Sequence, residues 1–154
     1  MRRDSKLSSI LHLLLHMERS KRPLTSDELA GFLQTNPVLV RRTLAGLRDC
    51  GYVGSEKGHG GGWIITVDLR QVTLHNIYTS VGSPAVFAMG NRDEHPQCLV
   101  ERVVNEALTS AFDEAEALLV QRFAEVTLAD LSARFNAQYP HHGDAPHAHF
   151  PAAS

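Results

Sequence analysis

The stretch from Thr25 to Trp63, TSDELAGFLQTNPVLVRRTLAGLRDCGYVGSEKGHGGGW, leaves this chain little freedom in how it folds. Thr25 with Glu28 three residues on has the spacing of a capping box, and Asn36 followed by Pro37 is an N-cap with proline at the first helical position. The two helix starts lie eleven residues apart, so the first helix can run only to about Gln34, burying Leu29, Ala30, Phe32 and Leu33. That is the length economy of a helix-turn-helix. In the second helix Val40, Leu44 and Leu47 share one face, while Arg41, Ala45 and Arg48 share another. Gly51 stands where a left-handed C-cap is needed; Tyr52-Val53, the loop Lys57 to Gly62, and Trp63 to Val67 then read as strand, loop and strand. The expected fold is mainly α with a small β-hairpin wing, a winged helix-turn-helix.

The flanks supply its supports. Arg2, Arg3 and Lys6 lead into a helix whose Leu7, Ile10, Leu11, Leu14 and Leu15 follow a buried stripe, and Lys21-Arg22-Pro23 closes it. His12 and His16 lie one turn apart, the spacing of two helical metal ligands, but no cysteine or carboxylate nearby completes a set, and they read as surface or boundary histidines. After a turn from Asp68 to Val72, Thr73 caps a helix burying Leu74, Ile77 and Val81, which packs back on the first. From Gly82 to Pro96 the composition shifts to Gly, Ser, Pro, Asn and charges around a short apolar piece, the mark of a linker. From Gln97 to about Glu125 runs the longest helix, with Val100, Val104, Ala107, Leu108, Ala111, Ala115, Leu118 and Leu119 in one stripe. Such a helix at the end of a small domain needs a partner, and the expected partner is its own copy in a homodimer. Thr127 caps a last helix with Leu128, Leu131 and Phe135 on one face, expected to brace the dimer. The organisation expected is a DNA-binding domain over 1–81, a linker over 82–96, dimerisation helices over 97–135, and a disordered His-rich tail over 136–154. His141, His142, His147 and His149 of that tail would bind metal only loosely, and no metal site is assigned.

Charge supports the division. Residues 1–70 hold 11 of the 15 Lys and Arg against 7 Asp and Glu, whereas residues 71–154 hold 4 against 10. A basic half (11 − 7 = +4) beside an acidic half (4 − 10 = −6) suits a nucleic-acid-binding domain joined to an assembly element. No apolar run approaches the roughly 20 residues of a membrane span, and the Leu-rich start lacks a signal-peptide cleavage pattern, so a cytoplasmic protein is expected. Two cysteines, Cys50 and Cys98, cannot form a disulfide framework or an all-thiolate zinc site.

Where Asn36-Pro37-Val38-Leu39-Val40-Arg41-Arg42 is followed by Gly51-Tyr52-Val53 and then Gly58-His59-Gly60-Gly61-Gly62-Trp63, the sequence resembles the Rrf-two (Rrf2) family of bacterial winged-helix regulators. The likeness extends through Thr73-Leu74-His75-Asn76-Ile77-Tyr78 to the long helix, and the G-x-GGG-W wing is its most specific part. The resemblance implies a homodimeric transcription factor, in most members a repressor. Cluster-binding members carry three cysteines between the DNA-binding domain and the dimer helix; this region has only Cys98. An iron–sulfur cluster held mainly by thiolates is therefore not expected, and the chain looks closer to the cluster-free branch, where a thiol or small molecule is the signal.

The function expected is sequence-specific binding of double-stranded DNA. Asn36, Val38, Arg41 and Arg42 at the start of the second helix are placed to reach base edges or flanking phosphates in the major groove. Thr25 and Ser26 open the preceding helix, where free N–H groups can meet a phosphate. Lys57 and His59 on the wing would lie along the backbone or minor groove, with Trp63 packing at the wing's base. Cys98 opens the long helix, where the helix dipole favours a thiolate, and is the candidate regulatory thiol. Two rivals are weighed: an enzyme pairing Cys98 with His95, for which no orienting group or oxyanion loop is visible, and a winged-helix protein-interaction module, against which the Arg41, Arg42 and Lys57 face argues. No catalytic residue is assigned.

Overall fold

The computed structural model describes residues 5–87 and 97–138. The order of elements is α1 (Lys6–Ser20), α2 (Ser26–Leu33), α3 (Pro37–Asp49), β1 (Val53–Glu56), β2 (Gly62–Ile65), a 3-10 turn (Leu69–Gln71), α4 (Leu74–Ser80), α5 (Leu99–Glu125) and α6 (Leu128–Gln138). The fold is mainly α with one antiparallel hairpin, registered Val53 against Ile65 and Glu56 against Gly62. Residues 88–96 of the linker, with His95, and residues 139–154 of the His-rich tail fall outside the described residues, whereas 136–138, expected in the tail, belong to α6.

Helix starts are set by local chemistry. Thr25 accepts from the Glu28 N–H at 3.2 Å while Glu28 accepts from the Thr25 N–H at 2.8 Å, the reciprocal capping box that the spacing predicts. Thr73 and Asn76 repeat the device at α4. At the far end of α3 the Gly51 N–H reaches the Arg48 carbonyl and the Tyr52 N–H the Leu47 carbonyl, with Gly51 at φ +84°. This pair of bonds is a Schellman closure, and it needs a residue that tolerates the left-handed region.

The core lies around α1, whose Ile10, Leu13, Leu14 and Met17 are buried. Leu7 and Leu11 pack only partly against it and Leu15 is half-buried, so the buried face is turned from the predicted stripe. The reason is that α1 is the central helix, touched by α2, α4, α6 and β2 rather than by one layer. Leu24, Leu29, Val40, Leu44, Leu47, Val53 and Ile77 fill the space between these elements. The hairpin differs in bounds from expectation: β1 begins at Val53 and takes in Gly54 to Glu56, and β2 ends at Ile65.

The last helix packs on the N-terminal body. Helix α6 docks on α1 and the 3-10 turn. The Leu128 N–H donates to the Val72 carbonyl at 2.8 Å, the Leu74 N–H to the Val126 carbonyl at 2.9 Å, Ser132 Oγ reaches Glu18 at 2.8 Å, and the Arg19 guanidinium lies 5.0 Å over the Phe135 ring. Leu128 is fully buried in the N-terminal body. Helix α5 is therefore an excursion between two parts of one body.

Glu28 carries a stability signature. The Arg22 guanidinium at 2.8 Å, then the Thr25 N–H, hold its carboxyl down from the ordinary 4.5 to about 2. A depressed carboxylate stabilises the fold above its unfolded value and loses that contribution as pH falls through the folded one. The side chain is 38% exposed, so solvent screens the pair and the effect is modest. Melting of Glu28→Gln should sit below wild type at pH 6, and the gap should close between pH 4.5 and pH 2. A gap of constant size down to pH 2 would trace the loss to something other than the ionised carboxylate.

Candidate nucleic-acid interface

Helix α3 starts at Asn36, whose Oδ1 accepts from the Val38 N–H at 2.7 Å. The cap takes one lone pair of Oδ1 and fixes the side chain, with the exposed amide NH2 left to donate. At about 100° per residue, Val38, Arg42 and Ala45 lie opposite the buried Val40, Leu44 and Leu47, with Arg41 and Arg48 along one flank. Arg41, Arg42 and Arg48 are exposed, and Val38 is 56% exposed, so an apolar side chain stands in water beside the guanidinium groups. Among the described residues no ion pair engages Arg41, Arg42 or Lys57, while Arg48 makes only a loose 3.6 Å pair with Asp49. Unpaired guanidinium groups beside an apolar contact can meet phosphate or guanine on one side and a thymine methyl on the other.

The hairpin is fixed to the helix pair rather than hung from it. The Trp63 N–H donates to the Leu24 carbonyl at 2.8 Å, and the Leu24 N–H returns to the Trp63 carbonyl at 3.1 Å. This bridge ties β2 to the residue just before the α2 cap. A Cβ on Gly62 would stand 2.6 Å from the Leu24 backbone, and one on Gly61 2.3 Å from the Glu56 carbonyl oxygen. Glycine is required at both because backbone passes too close for any side chain. Lys57 and His59 lie exposed on the loop beyond this anchor.

Trp63 packs at the wing's base, as its position predicts, and its indole N–H donates to Ser26 Oγ at 3.0 Å. Ser26 is consequently buried, and its hydroxyl serves the core. Thr25 is exposed, but its N–H and hydroxyl already donate to the Glu28 carboxylate at 2.8 and 3.0 Å. Sequence reasoning passed over Leu39, 52% exposed on the same turn as Val38, because its apolar character reads as core.

Helix α5 is the second surface of interest. Over 27 residues it buries no side chain. Its body-facing side carries Phe112 and Phe123, whose rings meet Phe87 at 5.8 Å and Tyr78 at 5.6 Å. The stripe of Val100, Val104, Ala107, Leu108, Ala111, Ala115 and Leu118 is exposed throughout, Val100 at 71% and Leu118 at 57%. Cys98 is the exposed N-cap residue of this helix, and its side chain makes no capping hydrogen bond. Among the described residues no helix is long and apolar enough to cross a membrane.

A family model described as Rrf2, iron-dependent transcriptional regulator, matches residues 3–134. YwnA of Bacillus subtilis (strain 168), described as an HTH-type transcriptional regulator, is 23% identical over 128 residues, which span 83% of this chain and 95% of YwnA. A crystal structure from Lactobacillus plantarum, described as a transcriptional regulator, superposes with a TM-score of 0.71 at 26% identity, covering 88% of this chain and 92% of that one. IscR of T. potens shares the fold with a TM-score of 0.68 at 15% identity, covering 93% and 94%.

Proposed function

Because this chain belongs to the Rrf2 family and is a DNA-binding transcriptional regulator, we propose that it acts as a homodimeric repressor, each protomer placing α3 in the major groove of one operator half-site. The observation that carries the dimer is the exposed apolar stripe of α5, which lies away from the side facing its own body. Val38, Arg41, Arg42 and the Asn36 amide read or flank the bases, and Lys57 and His59 follow the backbone from the wing. Thr25 and Ser26 position the helix pair through their side chains, and the free N–H groups at the start of α2 face the phosphate backbone. No side chain is assigned a catalytic role.

A resident iron–sulfur cluster held mainly by thiolates is not part of this reading. Such a cluster takes about three or four thiolate or imidazole ligands, and the sequence holds two cysteines, one ending α3 and one opening α5. The signal fits a thiol better. Cys98 is exposed at the start of the proposed dimer helix, so its oxidation would act on the element that sets half-site spacing. Mild diamide should weaken operator binding by wild type and leave Cys98→Ser unchanged. An equal response in both would remove Cys98 from the sensing role.

The DNA face has its own test. Arg41→Ala and Arg42→Ala should lower affinity for a selected operator more than for random duplex, whereas Lys57→Ala should lower both and reduce the salt slope by about one unit. Fluorescence anisotropy at several salt concentrations measures all of this. Wild-type affinities in all three variants would exclude this face.

A further inference from the structure

The histidine pair of α1 is not used by the DNA face or by the dimer helix, and its geometry is specific. His12 Nε2 and His16 Nε2 stand 2.9 Å apart on adjacent turns, with ring centroids 4.7 Å apart and planes inclined at 36°. Rings aimed head-on at each other across that gap would have centroids about 5.2 Å apart, whereas rings aimed at one point at right angles would have them about 4.5 Å apart. The observed separation is nearer the convergent arrangement. A metal bonded at about 2.0–2.1 Å by two nitrogens at right angles holds them about 2.9 Å apart, and a tetrahedral ion spreads them to about 3.4 Å.

We propose that His12 and His16 form a bidentate site for a divalent transition ion with right-angled nitrogen ligation, of the nickel(II) and copper(II) class. Each ring binds through Nε2 and keeps its proton on Nδ1, so the ring that carries the Nε2 proton in the metal-free hydrogen bond changes tautomer. Among the described residues no group of three His, Cys, Asp or Glu gathers, so water completes the coordination. The His16 ring stacks on Phe32 of α2 at 4.0 Å with planes 2° apart, which fixes one ligand against the first helix of the helix-turn-helix. His12 is exposed and gives the ion its entry. The site is independent of the DNA-binding reading.

Nickel(II) is the probe, since it leaves the exposed thiols Cys50 and Cys98 unoxidised. At a tenfold excess over its dissociation constant the ion should raise the melting temperature of the full chain by about 4 °C. The rise should vanish in His12→Gln, whose exposed position leaves folding intact, and in His16→Gln. It should persist when His141, His142, His147 and His149 are all replaced by alanine. No rise in the wild type, an equal rise in His12→Gln, or loss of the rise in the tail variant would each overturn the site.

Discussion

Combining Val104→Asp with Ala111→Asp should convert the protein to monomers at micromolar concentration and lower its operator affinity by two orders of magnitude or more. Both positions are exposed and seven residues apart on α5, so the charges fall on the solvent side of one protomer. In a helix pair, however, each carboxylate would be desolvated against its symmetry mate, which the association cannot compensate. Loss of affinity follows because two half-sites are then bound independently, without the effective concentration that linkage supplies. Sedimentation and anisotropy on the same samples read the two effects. A wild type that sediments as a monomer, or a double variant that stays dimeric, would refute the assignment of this stripe.

The largest effect on stability is expected at Leu44. Its side chain is 0% exposed at the centre of the α3 face that meets α2 and β1, so Leu44→Ala removes apolar burial and leaves a cavity costing about 3 kcal/mol. Leu39→Ala, five residues earlier and 52% exposed, should cost far less, under about 0.5 kcal/mol. Urea denaturation of the two variants gives the comparison directly. Similar costs at both positions would mean that α3 is not seated as described.

What the sequence disclosed and what it hid divide by distance along the chain. Thr25 with Glu28, Asn36 with Pro37 and Thr73 at the start of α4 announce helix starts because cap and partner lie within three residues. Val40, Leu44 and Leu47 announce a buried face because one helical period relates them. The role of the Ser26 hydroxyl was hidden because its partner, Trp63, is 37 positions away; a serine at a helix start reads as polar surface until a distant indole is found to need an acceptor. The docking of α6 was hidden for the same reason, since Ser132 and Glu18 are 114 positions apart and neither carries a local signal. The exposure of Val38 and Leu39 was half legible: the wheel puts Val38 outside, while nothing local separates an apolar residue meant for a base edge from one meant for the core.

The return of α6 to α1 also orders events during synthesis. The body that carries the recognition helix is made from the first and the last helical segments of the described chain, with 27 residues of α5 between them. Leu128 cannot enter its place beside Val72 until α5 has left the ribosome. A nascent chain that has finished its wing but not its final helix thus lacks part of its own foundation. By the time the body closes, the exposed stripe of α5 already exists, so a folded reader of DNA and the surface proposed for its assembly are completed together.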